Sequence, residues 1–97
     1  MSNQARQSAR ASAKYIIVLP TTHHTLLAEK ALHAANVRSL TVPKPQKAVS
    51  DCGLALQIEP DDLHAAMEIL TARKMRFKVF AKKADGDIEP LKSNQED

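Results

Sequence analysis

Cys52 is the only cysteine among 97 residues. It stands in the run Pro43-Lys44-Pro45-Gln46-Lys47-Ala48-Val49-Ser50-Asp51-Cys52-Gly53, between two short apolar segments. A thiol followed by glycine at the mouth of a stiff loop is poorly suited to packing and well suited to being reached by a reagent. Only the thiolate attacks sulfur or selenium electrophiles well, so the groups that favour ionisation decide what such a residue can do. Lys44, Lys47 and His23 favour the anion, whereas the neighbouring carboxylate of Asp51 opposes it. Gly53 removes side-chain cover beside the sulfur and can take a positive φ that turns the loop into the next strand. Pro43 and Pro45 bias the approach to an extended conformation. The competing reading of Cys52 is a small buried residue at a strand start, the commonest fate of a free cysteine.

The remaining polar residues offer less chemistry. His23 is the better candidate for a proton donor, and His24 reads as a capping or packing residue. His33 and His64 sit on the polar faces of their helices, one turn from Glu29 and Glu68 respectively. A metal set of Cys52, His23 and His24 can be drawn, but three ligands without a fixed spacing motif are a weak signal. Arg73, Lys74, Arg76 and Lys78 could meet a phosphate backbone; dipole complementation plus a charged edge strand is the commoner meaning, and no aromatic platform accompanies them. Nucleic acid therefore ranks last among partners. With no acid/base pair, phosphate loop or nucleophile triad visible, a conventional enzyme is hard to build from these residues.

The elements that must position Cys52 follow from the pattern. Tyr15 to Leu19 is a continuous apolar run of strand length, stopped by Pro20, as expected for a central strand. Thr21 or Thr22 then offers a hydroxyl cap to a helix running to about Ala35, with Ala28, Ala31, Leu32 and Ala35 at helical spacing and Asn36 as the stop. Val37 to Val42 reads as a weaker edge strand carrying Arg38 and Ser39. Leu54, Leu56 and Ile58 alternate with Ala55 and Gln57, which predicts a third strand with one buried face. Glu59-Pro60-Asp61-Asp62 is an acidic helix start, after which Leu63, Ala66, Met67 and Leu70 line one face. Arg76 to Ala81 reads as the last strand, with Phe77 and Val79 on one face and Lys78 outward.

The order β-α-β-β-α-β predicts an α+β, ferredoxin-like fold: two helices on one face of a four-stranded antiparallel sheet, with the first and third strands central and the second and fourth at the edges. Right-handed crossover makes the first two strands parallel, so the loop holding Cys52 belongs near the start of the first helix. Thr21, Thr22, His23 and His24 lie there, where free backbone N–H groups favour an anion.

Length allows a single small domain, expected over residues 14–82. Residues 1–13 read as a disordered basic arm, with an organellar transit peptide as the second choice, and residues 83–97 as a disordered acidic tail. Net charges of +2, +4 and −3 follow for arm, body and tail. Only Tyr15, Phe77 and Phe80 are aromatic, so the core is built from small aliphatic side chains and a homodimer would be a natural support. A single cysteine cannot form an internal disulfide, and the opening residues lack an apolar signal region; a reducing cytoplasm is the natural setting. No apolar stretch is long enough to cross a bilayer.

At this point the residues resemble the putative selenium/sulfur carrier protein-like family, from about Tyr15 to Val79. The resemblance is carried by the opening strand with Thr21 to His23, by Ala28-Glu29-Lys30, by Val42-Pro43-Lys44-Pro45, by Ser50-Asp51-Cys52-Gly53-Leu54-Ala55-Leu56 with its Ser-x-Cys-Gly motif, and by Glu59-Pro60-Asp61-Asp62. It implies that Cys52 holds sulfur or selenium as a persulfide or selenylsulfide and passes it to a partner enzyme; the residues themselves add Gly53, Ser50, Lys47, Thr22 and His23 as expected support, donor and acceptor proteins as partners, and no cofactor. Where members of the family look to have an arginine after the second loop proline, this chain has Gln46 followed by Lys47, a point charge in place of a bidentate fork. The alternative is a non-catalytic interaction or regulatory module in which Cys52 is structural.

Overall fold

The apolar run that opens the folded part lies in the middle of a sheet. A computed structural model describes residues 14–46, 48, 53–83 and 87–93. It places strand β1 at Lys14–Val18, helix α1 at Thr22–Ala34, β2 at Leu40–Pro43, β3 at Leu54–Ile58, a 3-10 turn at Pro60–Asp62, helix α2 at Leu63–Ala72, β4 at Lys78–Lys82 and β5 at Ile88–Ser93. The strands are ordered β2-β3-β1-β4-β5, and every neighbouring pair is antiparallel. The chain is thus α+β, with two α-helices and a five-stranded antiparallel sheet.

Local chemistry sets the helix ends. Thr21 is extended, and its Oγ1 accepts the N–H of His24 at 3.1 Å, so Thr21 rather than Thr22 is the cap. The buried Thr25 donates its hydroxyl back to the carbonyl of Thr21 at 3.0 Å. Asn36 stops α1 with a φ of 62°, and Val37 N–H bonds Leu32 O at 2.8 Å. Helix α2 closes in the same way, with Lys74 at a φ of 61° and Met75 N–H bonded to Leu70 O at 3.0 Å. Both are Schellman ends, in which the left-handed residue lets the following N–H groups satisfy orphan carbonyls. The first of them draws Val37 into the helix terminus, so β2 begins at Leu40 instead of Val37.

Alternation along the strands divides the core in two. Ile17, Leu19, Leu56, Ile58, Phe77 and Val79 meet Ala28 and Leu32 of α1 and Ala66 and Leu70 of α2. Both helices therefore cover one face. On the other face Ile16, Val18, Ala55 and Phe80 are also buried, and they pack with Ala48 and Ile88. Ala55 being fully buried, β3 has two covered faces where one was expected.

The second face explains the fifth strand. Residues 83–97 were expected to be a disordered tail, yet Ile88–Ser93 pairs along β4, so β4 is interior and its expected edge position is corrected. Pro90 lies opposite Phe80 beside a register shift at Val79/Phe80. Proline is tolerated on an edge strand, where its missing N–H removes no ladder bond. The expected start of β4 at Arg76 also moves, to Lys78. Among the described residues no helix is long and apolar enough to cross a membrane. The arm, residues 1–13, lies outside the described residues.

Candidate functional site

Strand directions decide which loops meet. β1 and β2 both run antiparallel to β3 and so run parallel to each other. The ends of β1 and β2 therefore share one rim of the sheet with the start of β3, where Pro43 pairs with Leu54. Val18 pairs with Lys78, which brings the start of β4 to the same rim, and Ser93 at the end of β5 lies opposite Lys78. Helix α1 leaves from this rim, and α2 delivers the turn 73–77 to it.

The loop between β2 and β3 is anchored at both described ends. Lys44 N–H donates to Gly53 O at 2.9 Å, one step beyond the Pro43–Leu54 pair of the ladder. Ala48 N–H donates to Pro45 O at 3.0 Å, and Lys44 Nζ donates to Ala48 O at 2.8 Å. Ala48 itself is fully buried on the face away from the helices. The loop thus shares a rim with α1, while its anchor lies on the opposite face of the sheet.

Of the residues expected to form the site, Cys52, Ser50 and Lys47 lie outside the described residues, as does Asp51. Gly53 is exposed, and a Cβ placed on it would meet open space. Its φ lies outside the left-handed region, which corrects the expectation that it turns the loop with a positive φ. What glycine contributes here is absence of cover. Thr22 and His23 are exposed in the first turn of α1, where their N–H groups have no intrahelical acceptor. His24 is also exposed; its Nδ1 lies 2.7 Å from Thr21 Oγ1, and its ring meets that of His23 edge-on at 6.0 Å between centroids. That geometry makes His24 part of the cap.

Elsewhere His64 pairs with Glu68 at 3.0 Å on the exposed face of α2. His33 is exposed, and Glu29 accepts instead from Thr41 Oγ1 at 2.9 Å. Among the described residues no three His, Cys, Asp or Glu side chains are grouped to hold a metal ion.

Arg73, Lys74 and Arg76 are exposed on the turn that α2 brings to the same rim. Of the meaning expected for them, the charged edge strand is corrected, since β4 is interior. The described ends of the loop, Lys44 and Gly53, the start of α1 and the cations of this turn therefore share one rim of the sheet.

No curated protein and no solved structure matches the chain. A family profile described as "Putative Se/S carrier protein-like" matches residues 14–82, which takes in β1 to β4, both helices and the loop bearing Cys52, and stops short of β5. By that match over more than half its length, the chain belongs to the putative Se/S carrier protein-like family.

Proposed function

We propose that this protein carries sulfur or selenium on Cys52 as a persulfide or selenylsulfide, between a donor protein and an acceptor protein. The observation that carries the reading is the family match, which encloses the chain's only thiol. In loading, the Cys52 thiolate attacks the outer sulfur of a donor persulfide; the new S–S bond forms as the donor's bond breaks, and the donor thiolate leaves with the electron pair. In unloading, a nucleophile of the acceptor attacks the same outer atom, and Cys52 departs as the thiolate. Neither step changes the overall redox balance, so the residues alone suffice. The transferable atom carries negative charge, and the N–H groups of Thr22 and His23, with Lys47, are the groups assigned to steady it. Gly53, exposed and without a side chain, is read as leaving the approach to the sulfur open, with Ser50 in support. β1 to β4 with the two helices are read as a ferredoxin-like core to which β5 adds an edge, and the reducing cytoplasm as the compartment that keeps Cys52 free.

Incubation of the full chain with inorganic polysulfide, followed by intact-mass measurement, is expected to add one sulfur atom per chain, and none in Cys52→Ala. Alkylation of Cys52 by iodoacetamide at neutral pH is expected to run faster than that of a free cysteine. An unmodified wild-type chain, with alkylation kinetics of an ordinary thiol, would refute the carrier and leave an interaction module in which Cys52 is structural.

A further inference from the structure

A groove of about 490 Å³ runs along α1 toward the end of α2, lined by Leu27, Lys30, Ala31, Ala34, Arg73 and Met75. Its lining is aliphatic with two cations and no acid. Neither the Lys30 ammonium nor the Arg73 guanidinium has an ion-pair partner among the described residues. The acids that could have neutralised them are engaged elsewhere: Glu29, the sole acid of α1, accepts from Thr41 on the β2 side, and Glu68 of α2 pairs with His64. Leu27 is 41% exposed, with Leu26 beside it at 48%. Arg73 opens the turn at the rim shared with the start of α1, and Lys74 and Arg76 of the same turn are exposed.

From this arrangement we infer that the groove seats an acidic segment of a partner protein, one that anchors an aliphatic side chain between α1 and the turn after α2 and sets carboxylates against Lys30 and Arg73. Apolar lining supplies the affinity of such a contact, and matched charge supplies orientation and a fast encounter. Nucleic acid would find cations here without an aromatic platform for its bases, so an acidic polypeptide is the better fit. The inference rests on the carrier reading in one respect: the segment belongs to the donor or acceptor, whose reactive centre would then meet the rim that holds the Cys52 loop.

The test uses the isotopically labelled full chain and three probes: a capped peptide built from Glu and Leu, the same peptide with Gln in place of Glu, and oligothymidine. The Glu/Leu peptide is expected to shift amide resonances within residues 27–34 and 73–76. The double variant Lys30→Glu/Arg73→Glu, exposed at both positions and checked for fold by circular dichroism, is expected to bind it about tenfold more weakly. Cys52→Ala is expected to bind as wild type does. Equal binding of the Gln peptide, shifts confined to other elements, stronger binding of oligothymidine at the same residues, or concentration-dependent shifts without any peptide would each overturn the proposal. Polysulfide loading needs no groove, so its outcome separates the two readings. A chain that loads without binding the peptide loses the groove, and one that binds without loading loses the carrier.

Discussion

Ile88→Ala tests whether the fifth strand belongs to the folded domain. Ile88 is 5% exposed and packs with Ile16, Val18 and Phe80 on the helix-free face. Truncation to alanine removes about three methylene equivalents, or roughly 2.4 kcal/mol at ~0.8 kcal/mol each. A residual cavity adds to this, although the end of an edge strand can relax inward, which holds the total to about 2–3 kcal/mol, the lower part of the range for such substitutions. For a domain with roughly 5–15 kcal/mol of stability that is a large fraction. In urea, with a slope of about 1.5 kcal/mol per molar, the unfolding midpoint should fall by roughly 1.3–2 M at unchanged slope. Leu91→Ala is the internal control: Leu91 lies on the same strand at 54% exposure, and its loss should change stability by less than about 0.5 kcal/mol. If both variants unfold within about 0.5 kcal/mol of wild type, β5 contributes nothing and the second face is covered by something else.

Three further substitutions probe the rim and the helix ends. Thr21→Ala, which removes the oxygen accepting the His24 N–H, should cost about 1 kcal/mol in urea unfolding; no change would mean the cap is replaced by water. Lys74→Gly relieves a non-glycine residue held at a φ of 61° and should raise stability by roughly 0.5–1 kcal/mol, so a loss would show that the lysine side chain supports the turn. Gly53→Ala should leave the unfolding midpoint nearly unchanged, because its Cβ enters open space at an ordinary φ, while slowing alkylation of Cys52 by iodoacetamide. A large loss of stability would contradict the local backbone, and an unchanged alkylation rate would remove Gly53 from the approach to the thiol.

What could be read from sequence was what is local. The run Tyr15–Leu19, the hydroxyl before α1, Asn36 and the acidic turn before α2 each carry their own signal, and the structure bears out the elements they mark. β5 carries none: Asp87-Ile88-Glu89-Pro90-Leu91 reads as tail, and its pairing depends on the open side of β4, a non-local fact. One indirect signal was available. Ile16, Val18 and Phe80 alternate with Ile17 and Val79, so a second apolar face had to be buried by something outside the helices. Ala48 and Ile88 are what buries it. For the site, the crossover rule located the shared rim of Gly53 and the start of α1, whereas nothing local in Arg73-Lys74-Met75-Arg76 says which end of the sheet it will reach.

The burial of Ala48 has a mechanical meaning for the loop. Between Pro43 and Leu54 the chain is held by the Lys44–Gly53 bond at its base and by Ala48 against the sheet, with Lys44 Nζ closing back on the Ala48 carbonyl. In sequence Cys52 directly precedes Gly53, whose carbonyl accepts the Lys44 N–H at the base of the loop. A carrier thiol must be reachable by two different proteins in turn, yet it gains nothing from wandering, since each transfer needs the sulfur aligned with an incoming or leaving atom. On the carrier reading proposed above, a loop closed at its base by Lys44 and Gly53 and held by Ala48, with open space at Gly53, would serve the two demands together. On the same reading the specificity of exchange would lie outside the thiol itself, on surfaces such as the basic turn after α2, which would select the partner without touching the atom that moves.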